Sequence, residues 1–157
     1  AEEVAAPKLI NLHYCRNAIL NALLVNKAAD CEKAGIEANF DIKLAAGTAG
    51  FDDYDLVALV SNLLDNAIEA CEKIEGDRVI RVSAVLKQSF LFSVRNTTLP
   101  VEIKNDTIQT TKPNASLHGF GLSNIKLILN KYHADFVMDY EDGWFQFTGE
   151  IEAQVRK

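Results

Sequence analysis

The sequence predicts a two-layer α/β sandwich of the α+β kind, in which a mixed, mostly antiparallel sheet packs on helices. Three observations lead there. Segments with helical and strand periodicity alternate along the chain. Two pairs of β-rich segments are joined by short turns that only antiparallel neighbours allow, and helical segments stand between the strands. The 157 residues suit one core, since a chain of this size buries about 68 to 70% of the surface it exposes when unfolded.

Taken in order, Pro7 sits where a first helical turn tolerates it. Leu9, Leu12, Ile19, Leu20, Leu23 and Leu24 then recur at near-helical spacing, so a long first helix is expected, with Gly35 as its C-terminal cap. Residues 36–44 alternate through Ile36, Ala38, Phe40, Ile42 and Leu44, the period of a half-buried strand. Asp52 or Asp53 caps a second helix whose apolar face runs from Leu56 to Cys71 and which should end near Gly76. Residues 79–86 and 90–94 read as a hairpin.

The pattern then dissolves into Thr, Pro, Asn, Lys and Asp over some twenty residues, longer than compact domains carry without purpose. This stretch, about 97–118, reads as a lid or binding loop, or else as a plain surface insertion. Gly119 and Gly121 open a third helix that ends near Tyr132, and residues 134–140 and 144–151 form a last hairpin around Glu141, Asp142 and Gly143.

A net charge of −6 and a pI near 5.0 exclude a general grip on nucleic acid, which selects basic stripes. No apolar run approaches the roughly 18 residues of a spanning helix. Cys15, Cys31 and Cys71 are odd in number and lack ligand spacing, so they read as small buried thiols of a reducing compartment. With a start at Ala1 and one methionine, Met138, the chain reads as a piece of a longer protein.

Two features carry chemistry. Asn62, Asn66 and Glu69 share one side of the second helix, and asparagine is a poor residue in a helix interior because its amide competes for backbone groups. This polar stripe is either a solvated outer face or a magnesium site, since Mg²⁺ takes oxygen ligands from few protein groups plus substrate phosphates. In the second, Gly119 and Gly121 follow His118 at the mouth of a helix, where small residues and open N–H groups favour phosphate. Alone, that is equally a common way to start a helix. It is neither a dinucleotide fingerprint nor a Walker loop.

Residues 62–70, with Asn66, Ala67, Ile68, Glu69 and Ala70 at their end, resemble the N box of the GHKL ATPases, the superfamily of gyrase B, MutL and the histidine kinases. Gly119, Gly121 and Leu122 resemble its second glycine box. The resemblance implies the Bergerat ATP-binding fold. It further implies that Asn66 reaches Mg²⁺, that Asn62 helps at the phosphates, and that the second glycine box covers them. At the place of the first glycine box, where the family carries an Asp that accepts from the adenine amine, this chain has Asn96 and no glycines; an amide oxygen also accepts. That departure is shared by a subgroup, the peptide quorum-sensing receptor kinases, which also resemble this chain at Thr111 with Lys112 and at His118 to Leu122. The resemblance gives Lys112 the γ-phosphate, and leaves His118 either touching phosphate or serving the turn.

Residues 1–35 resemble the C-terminal part of a dimerisation helix, and 36–157 the ATP-binding catalytic domain. The implied protein is a two-component sensor histidine kinase that moves the ATP γ-phosphoryl group to a histidine outside this chain. Its cofactors are ATP and Mg²⁺. Its partners are the histidine-bearing dimerisation helices of the same kinase, in a homodimer, and a response regulator, with no nucleic acid and no direct membrane contact by this piece. It would lie in the cytoplasmic part of a bacterial membrane receptor. His13, His133 and Trp144 are expected to be structural. The rival readings are a nucleotide-independent interaction module and a serine kinase of the anti-sigma kind.

Overall fold

The computed structural model describes residues 13–44, 51–86, 89–104, 107–109 and 115–152. In chain order the elements are α1 (Ala18–Lys33), β1 (Glu37–Leu44), α2 (Asp53–Glu72), β2 (Val79–Leu86), β3 (Ser89–Thr97), β4 (Glu102–Lys104), β5 (Thr107–Gln109), α3 (Ala115–Lys131), β6 (Asp135–Glu141) and β7 (Trp144–Glu152). The five-stranded sheet has the order β1-β2-β3-β7-β6. Only β1 and β2 pair in parallel, and α2 is the crossover that such a pair requires. The other pairings are antiparallel, as the sequence predicts.

Register places one face of every strand toward the helices. The rows Val82, Val94, Phe147, Met138 and Ala84, Phe92, Gly149, Phe136 run across four strands. They join Leu20, Leu24 and Cys31 of α1, Leu59, Leu64 and Ala67 of α2, and Ile125 and Leu129 of α3 in a single core. Phe92 stacks on Phe90 at 5.3 Å and on Phe147 at 6.2 Å between ring centres. The described part of the first helix is therefore built into the same core as the sheet. All three cysteines are buried and free, as expected, and burial is the main cause that pushes the Cys31 thiol up to about 11.

Turn chemistry explains the boundaries. Gly35, at φ 68°, ends α1 as expected, with Ile36 N–H on the Cys31 carbonyl at 2.8 Å and Gly35 N–H on Glu32 at 3.1 Å. The same double bond closes α3, where His133 takes φ 52° and Ala134 N–H reaches Leu129 at 2.9 Å. Asp142 and Gly143, at φ 48° and 84°, supply the two positive angles of the tight β6–β7 hairpin.

Four expectations need correction. The first helix starts at Ala18, because the Asn17 side chain caps it by accepting from Ile19 and Leu20, while Asn21 Oδ1 takes the Tyr14 N–H and folds the preceding chain back. Pro7, Leu9 and Leu12 lie outside the described residues. Next, α2 stops at Glu72, short of Gly76, and the side chain of Arg78 collects its late carbonyls. The lid stretch carries regular structure: β4 pairs with β5, Ile103 opposite Ile108. Finally, α3 begins at Ala115, so Gly119 and Gly121 fall inside its opening turns and do not form its mouth. Ala115 and Leu117 are good helix formers that carry the helix back past the glycines.

Candidate functional site

Asp52 caps α2 by accepting from Tyr54 N–H at 2.7 Å, and Asp55 in the first turn meets the end of α3. Lys131 Nζ donates to Asp55 Oδ2 at 2.7 Å and the Tyr132 hydroxyl to the same oxygen at 2.5 Å. The start of α2 thus lies on the end of α3, and the two helices pack against each other.

Asn62 stands two helical turns beyond Asp55, and Asn66 one turn further, so all three occupy one face of α2. At Asp55 that face meets the end of α3. Asp65, on the opposite flank, pairs with Lys27 of α1. Asn66 lies eleven residues beyond Asp55 in α2, and Gly119 and Gly121 lie twelve and ten residues before Lys131 in α3. Within the amide stripe, Asn62 and Asn66 are half-buried while Glu69 is exposed.

Asn96 is the buried polar side chain of the described core, 3% exposed at the far end of β3. It lies inside the strand and not after it, on the helix-facing row with Ile80 and Phe145. Its Nδ2 donates to the Thr97 carbonyl at 3.1 Å. Leu122 is 8% exposed and packs in the core, which gives it an apolar, positioning part. Lys112 lies outside the described residues, and so does the side chain of His118, whose backbone belongs to α3.

The donor set fits a hard cation shared with phosphates better than a protein cage. Among the described residues no three His, Cys, Asp or Glu side chains gather, whereas Asn66 offers a neutral oxygen from a half-buried position. A cavity of about 20 Å³ between α1, α2 and the sheet, lined by Leu20, Leu24, Leu63, Val82 and Phe92, is apolar and too small for any nucleotide.

Three arginines, Arg78, Arg81 and Arg95, escaped the sequence reading. Arg78 donates to the carbonyls of Ile74, Ala34 and Glu72 at 3.0, 2.7 and 3.0 Å, closing the ends of α1 and α2 together. Trp144 lies on the open side of the sheet beneath the guanidiniums of Arg81 and Arg95, 5.3 and 4.5 Å from its ring centre. Isolated side chains carry no sequence signal for such contacts.

A family model described as the GHKL domain matches residues 52–152, from the cap of α2 to the end of β7. The chain belongs to the GHKL family. Among solved structures, the catalytic domain of histidine kinase ThkA is similar over 87% of this chain and 91% of its own, at 19% identity and a TM-score of 0.66. The histidine kinase AdeS of Acinetobacter baumannii is similar over 85% of this chain and 64% of its own, with 16% identity and a TM-score of 0.60. The cytoplasmic segment of histidine kinase QseC gives 87% and 74%, 19% identity and a TM-score of 0.56. No curated protein sequence matches. The fold is thus that of the GHKL domains of histidine kinases, a mixed sheet covered on one side by helices.

Proposed function

We propose that this GHKL domain is the ATP-binding catalytic domain of a two-component sensor histidine kinase, and that it delivers the γ-phosphoryl group of ATP to a histidine outside this chain. What supports the reading is that Asn62 and Asn66 are half-buried on the same face of α2 as Asp55, whose carboxylate accepts from Lys131 at the end of α3, the helix that holds Gly119 and Gly121. Bound Mg²⁺ would offset the charge of the phosphates. Asn66 holds the metal through its amide oxygen, and Asn62 donates to the phosphates. Gly119 and Gly121 keep side chains out of the way of the triphosphate. Asn96 accepts from the adenine amine, while Lys112 serves the γ-phosphate from the lid and His118 from the start of α3.

No nucleophile is needed among these residues, because the acceptor histidine supplies it and the domain's task is positioning. The stretch before Gly35 is then the lead from the dimerisation helices into the catalytic domain. The partners follow: those helices in a homodimer, and a response regulator that takes the phosphoryl group onward. The pattern of Asn96, Thr111 with Lys112, and His118 to Leu122 supports the peptide quorum-sensing receptor subgroup. QseC, similar in fold, is described from its cytoplasmic segment, which supports a cytoplasmic place for this domain within a membrane receptor.

The test is Asn66→Ala in the intact kinase. Magnesium-dependent autophosphorylation should fall below a hundredth of the native rate; a native rate would overturn the assignment.

A further inference from the structure

Residues Phe90, Phe92 and Val94 send apolar side chains to the helix layer, and the next position on that row is Asn96. A buried amide has two chemically different ends, a donor and an acceptor, and what it recognises depends on which end is turned to the ligand. Here the orientation is set. Nδ2 donates to the Thr97 carbonyl at 3.1 Å, and turning the amide over would bring Oδ1 against that oxygen, two acceptors face to face.

The Thr97 carbonyl is itself held. Cys71 Sγ, on the buried side of α2, donates toward it at 3.4 Å. Thr97 Oγ1 accepts the Val79 N–H at 3.0 Å and lies 3.7 Å from the same sulfur. Burial raises the Cys71 pKa, so the group is a thiol with a proton to donate at neutral pH. One cysteine therefore ties the α2 helix to the end of the strand that carries Asn96.

We propose that Cys71 and Thr97 are positioning residues that lock the Asn96 amide with its oxygen as the recognising end, so that the site selects a purine with an exocyclic amine and rejects one with an oxo group in its place. The inference rests on the ATP reading above. A site built to accept from an N–H discriminates strongly against an analogue that presents another acceptor, because two lone pairs then meet in a place without water. An amide free to flip would serve either base.

The test is calorimetric titration of the 157-residue chain with magnesium and non-hydrolysable analogues of ATP and of inosine triphosphate. The native chain should favour the adenine nucleotide. Cys71→Ala should reduce the ratio of the two affinities about three- to tenfold, and Cys71→Ser, which keeps a donor, should restore most of it. Thr97→Val reads the same ratio if the alanine variant does not fold. Equal weakening of both nucleotides, with the ratio unchanged, would make Cys71 a packing residue and overturn the inference while leaving the ATP reading intact. A native chain that binds neither nucleotide would overturn both.

Discussion

Lys131, the last residue of α3, donates from Nζ to Oδ2 of Asp55 in the first turn of α2 at 2.7 Å. The Tyr132 hydroxyl shares that oxygen and also accepts the Asp52 N–H at 3.1 Å. The two helices that bear the candidate phosphate-binding residues are thus latched at the end away from those residues. Such a latch ties the start of α2 to the end of α3. Phe51, packed edge-on against the Tyr132 ring at 5.3 Å, backs it from the apolar side.

The latch has a definite pH signature. The Lys131 hydrogen bond first, and the Tyr132 hydroxyl second, hold the Asp55 carboxyl below its usual value of 3.8. A lowered folded-state pKa gives stability that is present above the usual carboxylate range and is lost as pH falls through the folded value. Thermal midpoints recorded from pH 7 down to pH 2 should therefore drop less steeply in Asp55→Asn than in the native chain. Parallel curves would show that the carboxylate adds nothing.

Tyr132→Phe removes the hydroxyl and keeps the ring. It should lower the thermal midpoint at pH 7 by about 2 to 4 °C, the effect of one hydrogen bond in a chain of this size. An unchanged midpoint would mean that Lys131 alone holds the helices.

Gly149 tests the tightness of the aromatic row. A methyl group built on its α-carbon would lie 2.3 Å from Phe92 Cζ and 2.7 Å from Cε1, and that ring is wedged between Phe90 and Phe147. Gly149→Ala should cost about 1 to 3 kcal/mol in urea unfolding. Gly76→Ala, whose added carbon meets nothing within 4 Å, is the control and should be close to neutral. Equal stability of the two variants would contradict the packing described.

Arg78 makes a fourth prediction. Its guanidinium holds three carbonyls from the ends of α1 and α2, and its own carbonyl takes the Glu37 N–H at 2.8 Å where β1 meets β2. Arg78→Met keeps the stem and should destabilise the chain by about 1 to 3 kcal/mol in the same unfolding measurement. A loss below a few tenths would show that water replaces the guanidinium without cost.

The fold was legible where local chemistry decides it. Gly35, the Asp142 and Gly143 turn, the cap at Asp52 and the alternation through Phe40 and Ile42 each fix a boundary or a face through a few neighbouring residues. It was illegible where the cause is distant or weak. Asn17 and Asn21 look alike in sequence, yet one caps α1 and the other reaches back to Tyr14. The β4–β5 hairpin rests on Ile103 opposite Ile108, too short a pattern to register beside the polar residues around it. At the candidate site, helix spacing put Asn62 and Asn66 together, but the contact of α2 with the end of α3 rests on Asp55, Lys131 and Tyr132, which meet only in the folded chain. The helical start at Ala115 also could not be read, because two glycines outweigh their helical neighbours in any local estimate.

The central claim is that the α2 amides and the glycines of α3 enclose a metal-bound triphosphate. Calorimetric titration of the native chain and of Asn66→Ala with a non-hydrolysable ATP analogue, with and without Mg²⁺, addresses it most directly. The native chain should bind saturably and more tightly with magnesium, and the variant should lose that magnesium dependence. A magnesium response that survives the substitution would contradict it.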